Sequence, residues 1–145
     1  MVIILLLNAC VTQQPLEEYR VFYQAETNKP YDDVLAELEI AIAEHNFRIT
    51  GHSRVGKVIR ERDNIAFPDY DTVQFCNLTH AKVLLELSPH AVRQMPCNVV
   101  VYQFKNKVII NTRLLNTHTD NKQLNQFSKK INAMLKAIVD FSAEE

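Results

Sequence analysis

The sequence predicts an α+β domain, a largely antiparallel sheet with helices on one face. Two segments, residues 32–45 and 121–141, repeat apolar residues at helical spacing. Several others alternate with period two, as half-buried strands do. Their order is strand, helix, two strands, short helix, hairpin, long helix. That order suits helices packed against an antiparallel sheet.

Tyr19 to Ala25 alternates, with Tyr19, Val21 and Tyr23 on one side, and reads as the first strand. Asn28-Lys29-Pro30 ends it. Asp32 to His45 is a helix that buries Val34, Leu35, Leu38, Ala41 and Ile42, and Tyr31 can extend it. Asp32 and Asp33 in its first turn suit the helix dipole. Asn46 is placed to end it in a left-handed conformation. His45 reads as a residue of the last turn rather than a ligand.

Phe47 to Val55 is a second strand, in which Gly51 marks a bulge or a close backbone approach. Lys57, Arg60 and Arg62 then join Arg48 and Arg54 in a basic stretch. It has two readings, an anion-binding or phospholipid-facing patch and an ordinary solvated strand face and loop. Asn64 to Asp71 reads as a loop entering the third strand, Thr72 to Cys76.

Asn77 suits the N-cap of a short helix that buries Leu78, Ala81, Leu84 and Leu85, and Pro89 stops it. Val99 to Phe104 and Lys107 to Arg113 form a hairpin about Lys105-Asn106, where Asn tolerates a positive φ. Thr119 or Asp120 can cap the last helix. Its stripe of Leu124, Phe127, Ile131, Leu135 and Ile138 reads as core packing rather than a cofactor box.

The chain of 145 residues suits one domain, over residues 19–143. Hydrophobic residues make up 47% and charged residues 23%, so a chain of this size can bury a core without staples. A formal net charge of -1, with no basic-aromatic stripe, argues against a nucleic-acid partner. Three cysteines are too few for a disulfide scaffold.

Met1 to Leu7 is almost wholly apolar and runs into Asn8, Ala9 and Cys10. This resembles the end of a bacterial lipoprotein signal peptide, with residues 1–9 the signal and residues 10–18 a tether. The resemblance implies lipid on Cys10, a membrane partner through that lipid, and an envelope location facing the periplasm or exterior. The other reading of the run is a buried N-terminal strand in a cytoplasmic protein. The run is too short to span a bilayer, which needs about 20 apolar residues.

Phe75-Cys76-Asn77, a short helix containing Ala81, and then Pro96-Cys97-Asn98-Val99-Val100-Val101-Tyr102 together resemble the domain-of-unknown-function 302 family. The likeness covers roughly residues 19–141. It implies a β-α-β(4)-α fold of the TATA-box-binding-protein-like type, with the short extra helix between strands three and four. It implies no reaction, and the fold type alone brings no DNA binding.

If the strand ending at Cys76 pairs antiparallel with the one starting at Val99, Cys76 and Cys97 become near neighbours. They could form a disulfide if their Cα atoms lie within about 7 Å, a link worth roughly 3 kcal/mol for this loop length. They could also stay as buried thiols, act as a redox pair, or join His80 as a partial zinc, copper or haem-iron site. No Cys-x-x-Cys or His-x-x-x-His spacing strengthens the metal reading. Asp69 and Asp71 offer an acid-base pair for a hydrolase, or simply turn chemistry. No P-loop, dinucleotide or serine-hydrolase fingerprint is present.

The expectation is therefore an envelope-anchored, non-enzymatic accessory domain that binds a small ligand or a protein partner. Its candidate lining is Cys76, Asn77, Met95, Pro96 and Cys97. The alternative is a thiol redox or metal/haem-binding protein built on Cys76 and Cys97 with His80. The sequence names no cofactor.

Overall fold

The computed structural model of the protein describes residues 21–145. The signal segment, Cys10, the tether and Tyr19 lie outside the described residues. Five strands of the described residues form one sheet: β1 (Val21–Thr27), β2 (Arg48–Arg54), β3 (Tyr70–Cys76), β4 (Cys97–Phe104) and β5 (Lys107–Leu114). Their spatial order is β1-β5-β4-β3-β2, and every neighbouring pair is antiparallel. Among the described residues four helices accompany them: α1 (Tyr31–Glu44), α2 (Val55–Asp63), α3 (Leu78–Leu87) and α4 (Lys122–Ala143). A 3-10 segment, Pro89–Gln94, follows α3.

One face of the sheet carries the core. Val73 and Phe75 of β3, Val99 and Val101 of β4, and Ile110 of β5 are fully buried there. Val34 and Leu38 of α1, Leu84 of α3, and Ile131, Leu135 and Ile138 of α4 cover them. Amphipathic helices and a one-sided sheet leave no other arrangement that removes both apolar surfaces from water. Asn132 of α4 binds the chain just after β5: its Nδ2 donates to Leu115 O (2.9 Å), and Leu115 N donates to its Oδ1 (2.8 Å).

The sequence locates most element ends. Asn46 is left-handed at φ 59°, and Lys105 and Asn106 turn the hairpin at φ 49° and 63°. Asn77 caps α3 by accepting from His80 N at 3.0 Å. The cap of α4 differs from expectation. Asn121 fills it, accepting from Leu124 N at 3.0 Å, while the Thr119 hydroxyl donates to Asn125 Oδ1 instead.

The larger difference is α2. The basic stretch after β2 is neither strand nor loop but a helix, ended by left-handed Asn64. Its charges leave Val55 and Val58 exposed, and its one buried residue is Gly56. A helix whose contact point is a poor helix former carries almost no periodic signal. Gly56 is there because the chain leading into β3 passes over it. A Cβ at this position would collide with the Pro68 carbonyl oxygen and lie 2.9 Å from Tyr70 N.

Gly56→Ala is expected to destabilise the domain by about 1–3 kcal/mol through overpacking against backbone. At Gly51 an added Cβ meets only the mobile end of the Gln74 side chain, so Gly51→Ala should cost less. Urea unfolding of the two variants checks the order.

Candidate functional site

The bulge in β2 builds the site. Ile49 pairs with Phe75 and Gly51 with Gln74, so Thr50 is an extra residue. Beyond it, His52 pairs with Val73 and Arg54 with Asp71. Cross-strand partners share a face, and the face alternates along a strand. The extra residue therefore turns His52 and Arg54 to the helix side, where uninterrupted alternation from Ile49 would turn them away.

Both reach Asp71, whose carboxylate is only 5% exposed. His52 Nε2 lies 2.6 Å from Asp71 Oδ2. Arg54 Nε lies 3.8 Å from the same oxygen, an ion-pair distance rather than a hydrogen bond. Tyr31, the first residue of α1, completes the set: its hydroxyl donates to Val101 O (2.8 Å) and also approaches Asp71 Oδ1 (3.1 Å). Burial, then the Asp71 charge beside it, pushes the Tyr31 phenol far above its ordinary range. It stays a neutral donor.

Asp71 forms the floor of an open groove of about 450 Å³ between α1 and α2. Asp32, Leu35, Ala36 and Glu39 line it from α1. Arg54, Lys57 and Arg60 line the opposite side. Arg60 is held in place, donating to Phe67 O and Asp69 Oδ1, each at 2.7 Å. Arg54 is not. Its side chain is 51% exposed, and it makes no hydrogen bond among the described residues. Lys57, 53% exposed, has only a loose 3.7 Å approach to Glu61. Of the remaining basic residues, Arg62 folds back on Asp63, and Arg48 pairs with Cys76 away from the groove.

Cys76 and Cys97 come close together along the backbone but not face to face. The β3–β4 pairing is antiparallel as anticipated, but Cys97 lies opposite Phe75 rather than Cys76. Successive side chains point to opposite faces. Cys97 therefore packs against the core, Cys76 turns to the other face, and both thiols are free. Burial, reinforced by nearby Cys76, raises Cys97 to about 11, which disfavours the thiolate that redox chemistry and metal ligation need.

The other candidate positions are occupied structurally. Asn77 caps α3 and donates from Nδ2 to Asn46 O at 2.8 Å. Met95 packs against the core, and the Met95–Pro96 peptide is cis. His80 does not complete a metal set with Cys76 and Cys97. Among the described residues, no group of three His, Cys, Asp or Glu side chains is arranged to hold a metal ion. His80 instead sits edge-on between Phe47 and Phe127, with ring centroids at 5.7 and 5.8 Å. Its Nδ1 is buried without a hydrogen-bond partner.

The model of the family described as "Domain of unknown function DUF302" matches residues 23–141. The chain belongs to the DUF302 family. Among solved structures, it is similar to an uncharacterised conserved DUF302 protein from Bacillus stearothermophilus, at 18% identity and a TM-score of 0.73. That similarity covers 83% of this chain and 97% of the other and extends to the fold alone. No curated protein matches.

Within this DUF302 domain, the sequence singled out Asp69 and Asp71 and the basic stretch, but not their meeting with Tyr31 and His52. The one signal was Gly51, since a bulge there implies that the residues after it change face.

Burial, then the Lys130 charge, lowers the His80 pKa from its ordinary 6.5. Below pH 6.5 the unfolded chain therefore binds more protons at this position than the folded one. The contribution of neutral His80 to stability is lost as pH falls from 6.5 through the lower folded value. The thermal midpoint of His80→Leu should fall less between pH 7 and pH 5 than that of the parent protein. Equal slopes would assign the acid sensitivity to other groups.

Proposed function

We propose that this DUF302 domain is a non-enzymatic accessory domain that binds a small carboxylate-bearing ligand in the groove over Asp71. The observation that carries the reading is Arg54. Its Nε side faces a buried carboxylate, which holds the side chain at the groove, while its donors have no hydrogen-bond acceptor among the described residues. A planar guanidinium matches a carboxylate with two parallel hydrogen bonds. Lys57 adds a second positive charge on the same wall. The Asp71 set resembles a catalytic dyad in its His–Asp contact, yet no serine, threonine or cysteine lines the groove to serve as a nucleophile. Binding is the better-supported reading. The thiol redox and metal/haem alternative has less support, because Cys76 and Cys97 face apart and Cys97 resists ionisation.

Titration with propionate and succinate, followed by amide NMR shifts, tests the groove. Shifts should saturate at residues lining it, and Arg54→Gln should weaken binding by about ten-fold or more, the loss of a charge-assisted bidentate contact. Unchanged affinity in that variant would remove the proposal.

We also propose that Cys10 anchors the domain to a bacterial envelope. The apolar run ahead of it supports this. Mass spectrometry of the protein from its native membrane should find an acylated N-terminal Cys10. An unmodified Met1 would exclude the anchor.

A further inference from the structure

The groove carries opposite charges on its two walls. On α1, Asp32, Leu35, Ala36 and Glu39 stand at positions i, i+3, i+4 and i+7, which share one helical face. The two carboxylates therefore bracket a short apolar strip, about 10 Å apart along the axis. Both are exposed, and neither has an ion-pair partner among the described residues. Across the groove, Arg54 and Lys57 supply positive charge.

The walls do not close on each other. Arg54 approaches Asp71 on the floor, Lys57 approaches Glu61 of its own helix, and Arg60 binds Asp69. No ion pair bridges α1 to α2 among these residues. The backbone explains why: α2 is fixed by Gly56 against Pro68–Tyr70, and α1 by Tyr31 at Asp71 and Val101. Two rigid elements thus hold unlike charges apart with a polar floor between them.

We infer that the ligand of this groove is an amino carboxylate, a small zwitterion. Its carboxylate takes Arg54 and Lys57, and its ammonium takes one of the two α1 carboxylates, Asp32 or Glu39. This rests on the carboxylate reading above and extends it to the other end of the molecule. A simple carboxylate leaves the α1 carboxylates without a partner, and a simple amine leaves Arg54 without one. A ligand with both charges neutralises both walls, and Leu35 and Ala36 can cover a short aliphatic chain between its ends.

The test compares matched probes on the full domain by calorimetric titration. One series is straight-chain alkyl carboxylates, from acetate to hexanoate. The other is the same chains ending in an ammonium group, from glycine to 6-aminohexanoate. At least one amino carboxylate should bind ten-fold or more tightly than its alkyl counterpart. In Glu39→Gln or in Asp32→Asn that advantage should shrink toward unity, with alkyl carboxylate affinity not reduced. Both residues are exposed, so the substitutions leave the core intact. Equal affinity across matched pairs would overturn the zwitterion inference while leaving the carboxylate reading standing. Binding of neither series would overturn both. An advantage that persists undiminished in both Glu39→Gln and Asp32→Asn would also overturn the inference, because the ammonium would not be reading α1.

Discussion

Side chains on a strand alternate strictly, so the register of β3 against its two neighbours decides which residues can meet. Against β4, Phe75 stands opposite Cys97. That offset of one residue from Cys76 puts the two sulfurs on different faces of the sheet. Against β2, the extra Thr50 reverses the alternation. His52 and Arg54 consequently share the helix-side face with Asp71. One register thus turns the neighbouring cysteines to opposite faces and assembles the buried carboxylate with its partners. A shift of one residue on either side would exchange these outcomes.

A nearly buried carboxylate needs compensation, since desolvation penalises its charge. Here three groups of different chemistry supply it. Tyr31 offers a neutral hydroxyl kept protonated by burial, His52 a ring nitrogen at 2.6 Å, and Arg54 a positive charge slightly farther away. The arrangement also ties the start of α1 to the sheet, because Tyr31 bonds Val101 on the neighbouring strand as well. Asp71 therefore links local electrostatics to the placement of the groove wall. The opposite wall is set by contact rather than charge, where Gly56 admits the backbone of Pro68–Tyr70.

Much of the fold was legible because it rests on periodic burial. The stripe of α1, the long stripe of α4 and the Val-rich hairpin all bury one face against the core. Capping and turn residues marked their ends, apart from the N-cap of α4, where Asn121 takes the place expected of Thr119 or Asp120. The family pattern around Cys76 and Cys97 was legible for the same reason, since it encloses the β3–α3–β4 crossover. What it did not convey was which face each cysteine takes, because that depends on a pairing offset absent from the sequence of either strand alone. Helix α2 was hidden because it buries a glycine and exposes its valines. The meeting of Tyr31, His52, Arg54 and Asp71 was hidden because Tyr31 lies 40 residues from Asp71 and because a bulge turns His52 and Arg54 toward it.

The candidate groove and the cysteine crossover lie at opposite ends of β3. Asp71 and Cys76 are five residues apart on that strand, roughly 17 Å at the usual rise. The crossover end is dense with structural contacts: the Asn77 cap, Phe47 against Phe75, and His80 between two phenylalanines. The groove end contains an exposed helix whose charged side chains are not needed by the core. Substitution at Lys57 or Glu39 removes no apolar burial, whereas substitution at Phe75 or Cys97 opens the interior. The charges along α1 and α2 can therefore change without loss of the fold. This separation of a constrained crossover from an adjustable groove is the physical support for the proposal of a site at Asp71.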